Sequence, residues 1–237
     1  MNETPRQICP IIFIFETSGC MSGAPIGAVN AAMVNVLPEL TLMNNDSPTV
    51  EIKIAVMTFG SFAKWITPGL VDPGSCQWNG LNVYTGCVMG AAFKELNRVL
   101  SVSHGFMNHE SGYVAPVLFL LSEDQPTDNY QYELQALKKN NWYKVAAKVA
   151  ICYGYRSNDS VLLEFTGNVE TVLHTDDPED LPDLIKFVTI TASQVASTGN
   201  GVVTPGNAAR DMHDRTEDVA QALQTAPPKL ASTDDNW

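Results

Sequence analysis

The chain has 237 residues, of which 45% are hydrophobic and 17% are charged, as in globular proteins with one full α/β domain and a further segment. Its formal net charge is −12, and its isoelectric point is near 4.6. Nucleic-acid grooves and anionic membrane surfaces both require basic proteins, so the charge argues against both kinds of partner. An acidic surface suits a basic protein partner or plain solubility.

The first seven residues, MNETPRQ, are polar, and the apolar run that follows them is too short for a signal segment or a membrane span. We therefore expect a cytoplasmic location. The sequence contains five cysteines, and none of them forms a Cys-x-x-Cys pair. In a reducing compartment we expect these cysteines to be thiols.

The first predicted element is a strand at residues 10–15, a continuous apolar run typical of a strand buried on both faces of a parallel sheet. Glu16, Ser18 and Cys20 follow this strand in alternation, and a helix with one apolar stripe is predicted over residues 25–43. Polar side chains on such a strand-to-helix loop lie where α/β folds keep their sites. The loop is therefore the first candidate for function.

The rest of the chain alternates between predicted strands and helices. Strands are predicted at residues 50–59, 63–67, 116–121, 144–153 and 169–174, the second of them as an edge strand. Helices are predicted at residues 86–100, 129–141, 159–165 and 181–196. This alternation predicts an α/β class with a doubly wound, mostly parallel, Rossmann-like sheet and helices on both faces.

The chain divides into two parts by composition. Residues 9–197 carry the alternating pattern and are assigned to one domain. Residues 198–237 are interrupted by glycine and proline, and we expect an irregular C-terminal tail there. Within that tail, residues 212–223 could form one helix, although their apolar content is low.

Three motifs of the sequence resemble a known family. FIFETSGCMSGAPIGAVNAA, at residues 13–32, is similar to the first strand, metal loop and first helix of a von Willebrand factor A (VWA) domain, and more closely to those of its TerY-like, tellurium-resistance-associated branch. GCVMGAAF, at residues 86–93, resembles the branch's Gly-Thr-x-x-Gly-x-Ala helix start, and VLFLLSEDQPTD, at residues 117–128, resembles its strand ending in Thr-Asp-Gly-x-Pro-Thr-Asp. The resemblance spans residues 9–197 and implies the VWA fold.

The resemblance also implies a site, which is altered in this chain. The family builds its metal-ion-dependent adhesion site from Asp-x-Ser-x-Ser, a Thr and a second Asp. The corresponding residues are Glu16, Ser18, Cys20, Cys87 and Glu123. Only Ser18 is unchanged, so the resemblance implies a degenerate form of the usual Mg²⁺ site. Asp128, at the end of the third motif, is expected to shape its loop rather than bind metal.

Four interpretations of the altered site stay open. Cys20 and Cys87, which the resemblance brings face to face, can form a disulfide between the first loop and the second helix. In the second interpretation the site holds Zn²⁺, which accepts thiolate ligands, through Glu16, Cys20, Cys87 and Glu123. In the third, the glutamates retain Mg²⁺. In the fourth interpretation no metal binds, the cysteines stay thiols, and the glutamates form hydrogen bonds to nearby groups.

The function that the resemblance implies is non-enzymatic protein–protein binding, since VWA domains capture protein partners at the carboxyl edge of the sheet. TerY-like proteins are associated with tellurite and stress-response gene clusters, which implies a partner in such a system. No P-loop, His-Glu-x-x-His motif or Ser-His-Asp order is present, so we do not expect an enzyme. The alternative is a redox- or soft-metal-responsive sensor that uses the Cys20–Cys87 pair.

Overall fold

The structure, a computed structural model, describes residues 6–103, 105–108, 112–123, 126–154, 159–198 and 214–225. At its centre lies strand β1 (Gln7–Glu16), the apolar run that begins the sequence pattern. Every residue of β1 after Gln7 is buried. Such burial is expected of a strand whose two faces are both covered by helices.

Six strands form one sheet in the described part of the chain. The five besides β1 are β2 (Val50–Phe59), β3 (Ala63–Trp65), β4 (Val117–Ser122), β5 (Ala147–Tyr153) and β6 (Val172–Thr175). Their order across the sheet is β3-β2-β1-β4-β5-β6, and every neighbouring pair is parallel except β2 with β3. The predicted doubly wound, mostly parallel sheet is therefore confirmed.

Helices cover both faces of the sheet. They are α1 (Ala24–Asp46), α2 (Met89–Val99), α3 (Tyr130–Leu137), α4 (Asn141–Val145), α5 (Ser160–Thr166), α6 (Leu181–Thr198) and α7 (Arg215–Thr225). Buried side chains of α1, α6 and α7 join one hydrophobic cluster, and those of α2 to α5 join a second cluster on the opposite face. Each face of the sheet is thus closed by its own helical layer.

The register of the strands brings several carboxyl ends to one edge of the sheet. Phe15 pairs with Thr58 of β2 on one side and with Leu121 of β4 on the other. Leu121 pairs in turn with Ile151 of β5. The loops that follow β1, β2, β4 and β5 therefore meet at this carboxyl edge, where open α/β sheets bind their ligands.

Helix α1 is, by length and composition alone, the one described helix able to cross a membrane. In the structure its stripe that includes Val36 and Leu40 is buried against the sheet, and the helix packs against α6. Val34 and Leu42, on its outer side, are exposed. Core packing accounts for the buried stripe of α1 without a membrane.

The helix predicted over residues 129–141 is present as α3 but ends at Leu137, and a second helix, α4, begins at Asn141. Asn140 separates them: its backbone is extended, and its side chain accepts a hydrogen bond from the backbone N–H of Trp142 at 2.9 Å. This cap starts α4, which takes up residues that were assigned to the next strand. As a result β5 begins at Ala147 rather than at residue 144.

Two further elements begin later than predicted. α2 begins at Met89 rather than at residue 86, since Gly86 has a φ of +73° that no helix contains. The predicted strand at residues 169–174 begins as a 3₁₀ turn, Val169–Thr171, and only Val172–Thr175 joins the sheet. Asn168 caps that turn by accepting a hydrogen bond from the N–H of Glu170 at 2.8 Å.

Part of the segment that was expected to be irregular is the helix α7, which packs on α6 and β5. Val219 and Leu223 are buried in the cluster shared with α1 and α6. The predicted helix at residues 212–223 corresponds to this element, which begins at Arg215 and continues to Thr225; residues 212 and 213 lie outside the described residues. The remaining tail, residues 199–213 and 226–237, lies outside the described residues.

Candidate functional site

The centre of the candidate site is the carboxylate of Glu16, which is fully buried at the carboxyl end of β1. Its Oε2 atom accepts a hydrogen bond from Ser122 Oγ at 2.5 Å and another from the backbone N–H of Glu123 at 2.8 Å. Because a buried carboxylate loses its hydration, such donors are what make its burial tolerable. Glu16 therefore links the end of β1 to the end of β4.

Ser122 was not singled out from the sequence. It is the last residue of β4, it is 3% exposed, and its hydroxyl reaches across to the neighbouring strand. The sequence feature that could have indicated Ser122 is its position immediately before Glu123, at the carboxyl end of a strand expected beside β1. Adjacent parallel strands place such end residues next to each other.

Glu123 lies beside the end of β5. Its Cγ and Oε1 atoms lie 3.1 and 3.2 Å from the position that a Cβ would occupy at Gly154, whose φ is +105°. Burial raises the pKa of Tyr153, and the negative charges of Glu123, Asp177 and Asp176 raise it further. The side chain of Glu123 thus lies in an acidic region near the ends of β5 and β6.

Ser18 and Thr17 lie in the loop after β1. Thr17 fixes the loop to the end of β2, because its backbone N–H and its hydroxyl both donate to the carbonyl of Phe59, at 2.7 and 3.1 Å. Ser18 is 2% exposed, and its hydroxyl oxygen has no hydrogen-bond partner among the described residues. Glu16, Ser18 and Glu123 lie at one edge of the sheet, and their role as a site stays a prediction.

The two cysteines of the predicted site lie in different environments. Cys87 is fully buried in the hydrophobic cluster beneath α2, whereas Cys20 is exposed in the 3₁₀ turn Gly19–Met21. The structure records both residues as thiols. An apolar environment disfavours the thiolate form that a metal ligand or a redox switch requires. The disulfide between Cys20 and Cys87 stays a prediction.

Among the described residues, no group of three or more histidine, cysteine, aspartate or glutamate side chains is placed to hold a metal ion. Glu16 accepts hydrogen bonds within the protein, and the Cys87 thiol faces an apolar cluster. We therefore derive no role for Mg²⁺ or Zn²⁺ from the set Glu16, Ser18, Cys20, Cys87 and Glu123.

Asp128 shapes the loop before α3, as expected. Its two carboxylate oxygens accept hydrogen bonds from the backbone N–H groups of Gly90 and Ala91, each at 2.9 Å. These N–H groups lie in the first turn of α2, where no intrahelical acceptor is available. Thr127 adds a backbone hydrogen bond to the carbonyl of Cys87 at 2.8 Å. The third motif is thus anchored on the start of α2.

An exposed aromatic pair, Phe62 and Tyr84, lies next to this edge and was missed in the sequence. Their ring centroids are 5.7 Å apart, and their side chains are 51% and 42% exposed. The N–H of Tyr84 donates to the carbonyl of Thr17 at 2.6 Å, and Ser61 Oγ donates to the carbonyl of Thr85 at 2.6 Å. The pair therefore stands on loops that are hydrogen-bonded to the site.

Comparisons with solved structures place the fold among VWA domains. The chain is similar to a von Willebrand factor type A protein from Catenulispora acidiphila, with a TM-score of 0.57 and 16% identity over 79% of this chain and 43% of that one. It is also similar to proximal thread matrix protein 1 from the mussel byssus with a zinc-occupied MIDAS motif, with a TM-score of 0.55, 17% identity and coverage of 79% and 47%.

A third similar structure is the pilus adhesin SpaC from Lactobacillus rhamnosus GG in its open conformation, with a TM-score of 0.59, 9% identity and coverage of 80% and 30%. At these identities the likeness shows a shared fold. The chain spans less than half the length of each of these three proteins. No protein-family model and no curated protein matches the sequence.

Proposed function

We propose that this chain is a non-enzymatic, cytoplasmic protein-binding module that contacts its partner at the carboxyl edge of the sheet without a bound cation. The observation that carries the proposal is the exposed aromatic pair, Phe62 and Tyr84, on loops hydrogen-bonded to Thr17. Exposed aromatic side chains on a fixed backbone are typical anchors of protein interfaces.

Independence from metal is supported by the hydrogen bonds of Glu16. Ser122 and the backbone of Glu123 supply donors to this carboxylate from within the protein. The loops after β1 and β4 are therefore connected without an ion.

One structure with the same fold is a pilus adhesin, which supports a binding function for this fold. The resemblance to TerY-like proteins supports a partner in a tellurite or stress-response system.

The test is site-specific photo-crosslinking in cells of the source organism, grown with and without tellurite. A photoreactive residue replaces Tyr84 at the carboxyl edge, and in a control variant it replaces Val102, which is exposed just beyond the C-terminus of α2. We expect one protein to be crosslinked through position 84 and not through position 102. Growth with tellurite should increase its yield if the stress-response assignment is correct.

The recovered protein is then purified, and its affinity is measured by calorimetry with and without EDTA. We expect an unchanged Kd in EDTA and a loss of about tenfold or more on Tyr84→Ala, since truncated interface anchors typically cost over 1 kcal/mol. A Kd that collapses in EDTA would disprove independence from metal. Equal crosslinking at both positions would disprove binding at this edge.

The sensor alternative requires both Cys20 and Cys87 to react. Its two thiols differ in exposure, since Cys20 is accessible and Cys87 is buried. A switch that depends on both thiols therefore needs the buried Cys87 to become reactive. The sensor therefore stays a prediction, which the alkylation experiment described in the Discussion tests.

A further inference from the structure

The outer edge of the sheet at β3 has backbone groups that point away from the protein. The N–H of Ile66 donates to the carbonyl of Val56 in β2 at 2.8 Å. In an antiparallel ladder, bonding to the partner strand occurs at alternate residues, so Lys64 also bonds to β2 while Ala63 and Trp65 direct their N–H and C=O groups outward. The structure records no backbone hydrogen bond from Ala63 or Trp65 to another described element.

One face of this edge strand is also uncovered. Trp65 lies on the face toward α2, where its indole N–H donates to Glu95. Because side chains alternate along a strand, Phe62, Lys64 and Ile66 share the opposite face. Phe62 is 51% exposed, Ile66 is 43% exposed, and Lys64 is exposed between them. With Tyr84 beside Phe62, these residues form a surface that we call the β3 stripe.

The charge of the β3 stripe selects among possible occupants. The structure records no salt bridge of Lys64 with any described carboxylate, although the chain carries 26 acidic residues against 14 basic ones. An acidic side chain directly opposite Lys64 on an added strand would form a favourable cross-strand pair. Apolar residues on either side of it would cover Phe62 and Ile66.

A second copy of this chain is a poor occupant. An antiparallel pair of β3 strands centred on Lys64 would place two lysines directly opposite each other, which is destabilising. Lysine on a short edge strand is a common means of preventing such self-pairing. Two chains of net charge −12 would also repel each other.

We propose that the β3 stripe binds an extended segment of a partner protein, with an acidic residue between apolar residues, which adds to the sheet as a further strand. Backbone hydrogen bonds to Ala63 and Trp65 give the affinity, and the pairing with Lys64 gives the specificity. The inference rests on the proposed function, since it names the kind of partner and extends the carboxyl-edge contact along β3.

The test selects phage-displayed peptides on the full chain after removing those that also bind a Lys64→Glu variant. A recovered peptide is synthesised, and its Kd is measured by fluorescence anisotropy. We expect alternating apolar residues around a central Asp or Glu. Lys64→Glu should weaken binding about tenfold, and a peptide with the acid replaced by lysine should restore it on that variant.

Two controls make the test specific. Lys139→Glu changes the charge of an exposed lysine just beyond α3 and should leave the Kd unchanged. In the added strand, alternate backbone nitrogens of the peptide would donate to β3 and the intervening ones would face solvent. N-methylation of the first set should therefore abolish binding, whereas N-methylation of the second set should be tolerated. Binding that tolerates methylation at every position would overturn the proposal.

The proposal would also be overturned if no Lys64-dependent peptide were recovered. It would likewise be overturned if the wild-type chain sedimented as a dimer that Lys64→Glu alters, because a second copy would then be the occupant. These failures are distinct from failure of the proposed function. Crosslinking of a protein through position 84 without any β3-binding peptide would leave carboxyl-edge binding intact and remove only the added strand.

Discussion

At the scale of single residues, the site shows how a hydrogen-bonded carboxylate can connect two loops. Glu16 is fully buried, and it accepts hydrogen bonds from the hydroxyl of Ser122 and from the backbone of Glu123. Hydrogen bonds to a charged group contribute about 1.5–3 kcal/mol each, more than neutral ones. Glu16, which is one methylene longer than the aspartate of the VWA motif, thus contacts the end of β4 directly through these hydrogen bonds.

The five cysteines should react in an order set by their burial. Native protein treated with iodoacetamide near pH 8 should be alkylated first at exposed Cys20 and more slowly at partly buried Cys76, whose pKa burial raises. Cys87 and Cys152 are buried, and burial raises the pKa of Cys9 to about 12, so these three should react only after unfolding.

Intact mass and peptide mapping, without reductant, check this order. If Cys20 and Cys87 both resist alkylation in the unfolded chain until reductant is added, they form a disulfide, and redox sensing becomes the leading function. Rapid alkylation of Cys87 in the native protein would contradict its burial beneath α2.

At the scale of elements, the start of α2 depends on a close approach that only glycine permits. A Cβ at Gly90 would lie 2.9 Å from Asp128 Oδ2 and 2.9 Å from the Cα of Tyr130. These distances are shorter than real Cβ contacts allow, and one neighbour is backbone. The small residue at position 90 is therefore what allows Asp128 to cap the helix.

We predict that Gly90→Ala destabilises the protein by about 1–3 kcal/mol, the usual cost of overpacking, because the Asp128 loop must move away. Gly27→Ala is the matched control, since Gly27 lies in α1 with nothing within 4 Å of its Cβ position. Alanine there should be neutral or should stabilise by up to about 1 kcal/mol. Urea unfolding followed by circular dichroism measures both, and equal effects would contradict the close contact.

The elements also show what the sequence could and could not predict. The apolar run at residues 10–15, and residues 50–59, which alternate at first and are then mostly apolar, were both assigned to strands, and both lie in buried parallel strands. The break between α3 and α4 was missed because it depends on the side chain of Asn140, which also reaches Leu100. A contact between residues forty positions apart leaves no local periodic signal.

The positions of the candidate site residues could be predicted from the sequence, but the environments of their side chains could not. Glu16, Ser18 and Glu123 follow strands, and strand order places them at one edge. Cys87 also lies near that edge, since its carbonyl accepts a hydrogen bond from the N–H of Thr127, but its side chain is buried in an apolar cluster that includes residues of α2. The direction of a side chain next to a glycine of positive φ, here Gly86, is not encoded in spacing or composition.

At the scale of the whole molecule, a buried lysine links α7 to the sheet. Lys148 Nζ donates to Asp214 at 2.8 Å and to the carbonyl of Ala146 at 2.9 Å. Burial lowers the pKa of Lys148, and the charge of Asp214 opposes that shift. Asp214 also accepts a hydrogen bond from the N–H of Thr216 at 2.9 Å and so caps α7.

Asp214→Ala should therefore destabilise the protein by about 1–3 kcal/mol, since it removes a helix cap and the counter-charge of a buried ammonium, while solvent screens the half-exposed Asp214. Asp218→Ala, which removes a surface pair with Arg215 in the same helix, should cost less than about 1 kcal/mol. Urea unfolding gives both values, and hydrogen exchange should show that the loss is centred on α7. Equal losses would contradict the role of Lys148.

The contact between Thr216 and Lys148 joins residues 68 positions apart, through a hydrogen bond from the Lys148 N–H to the Thr216 hydroxyl at 3.2 Å. Because α7 packs on α6, β5 and the turn Val169–Thr171, which must already be in place, it should dock late, after the sheet has passed its folding transition state. Substitutions at this contact should then have φ-values near zero. They would accelerate unfolding and leave the refolding rate nearly unchanged, so α7 governs the lifetime of the folded chain rather than its rate of formation.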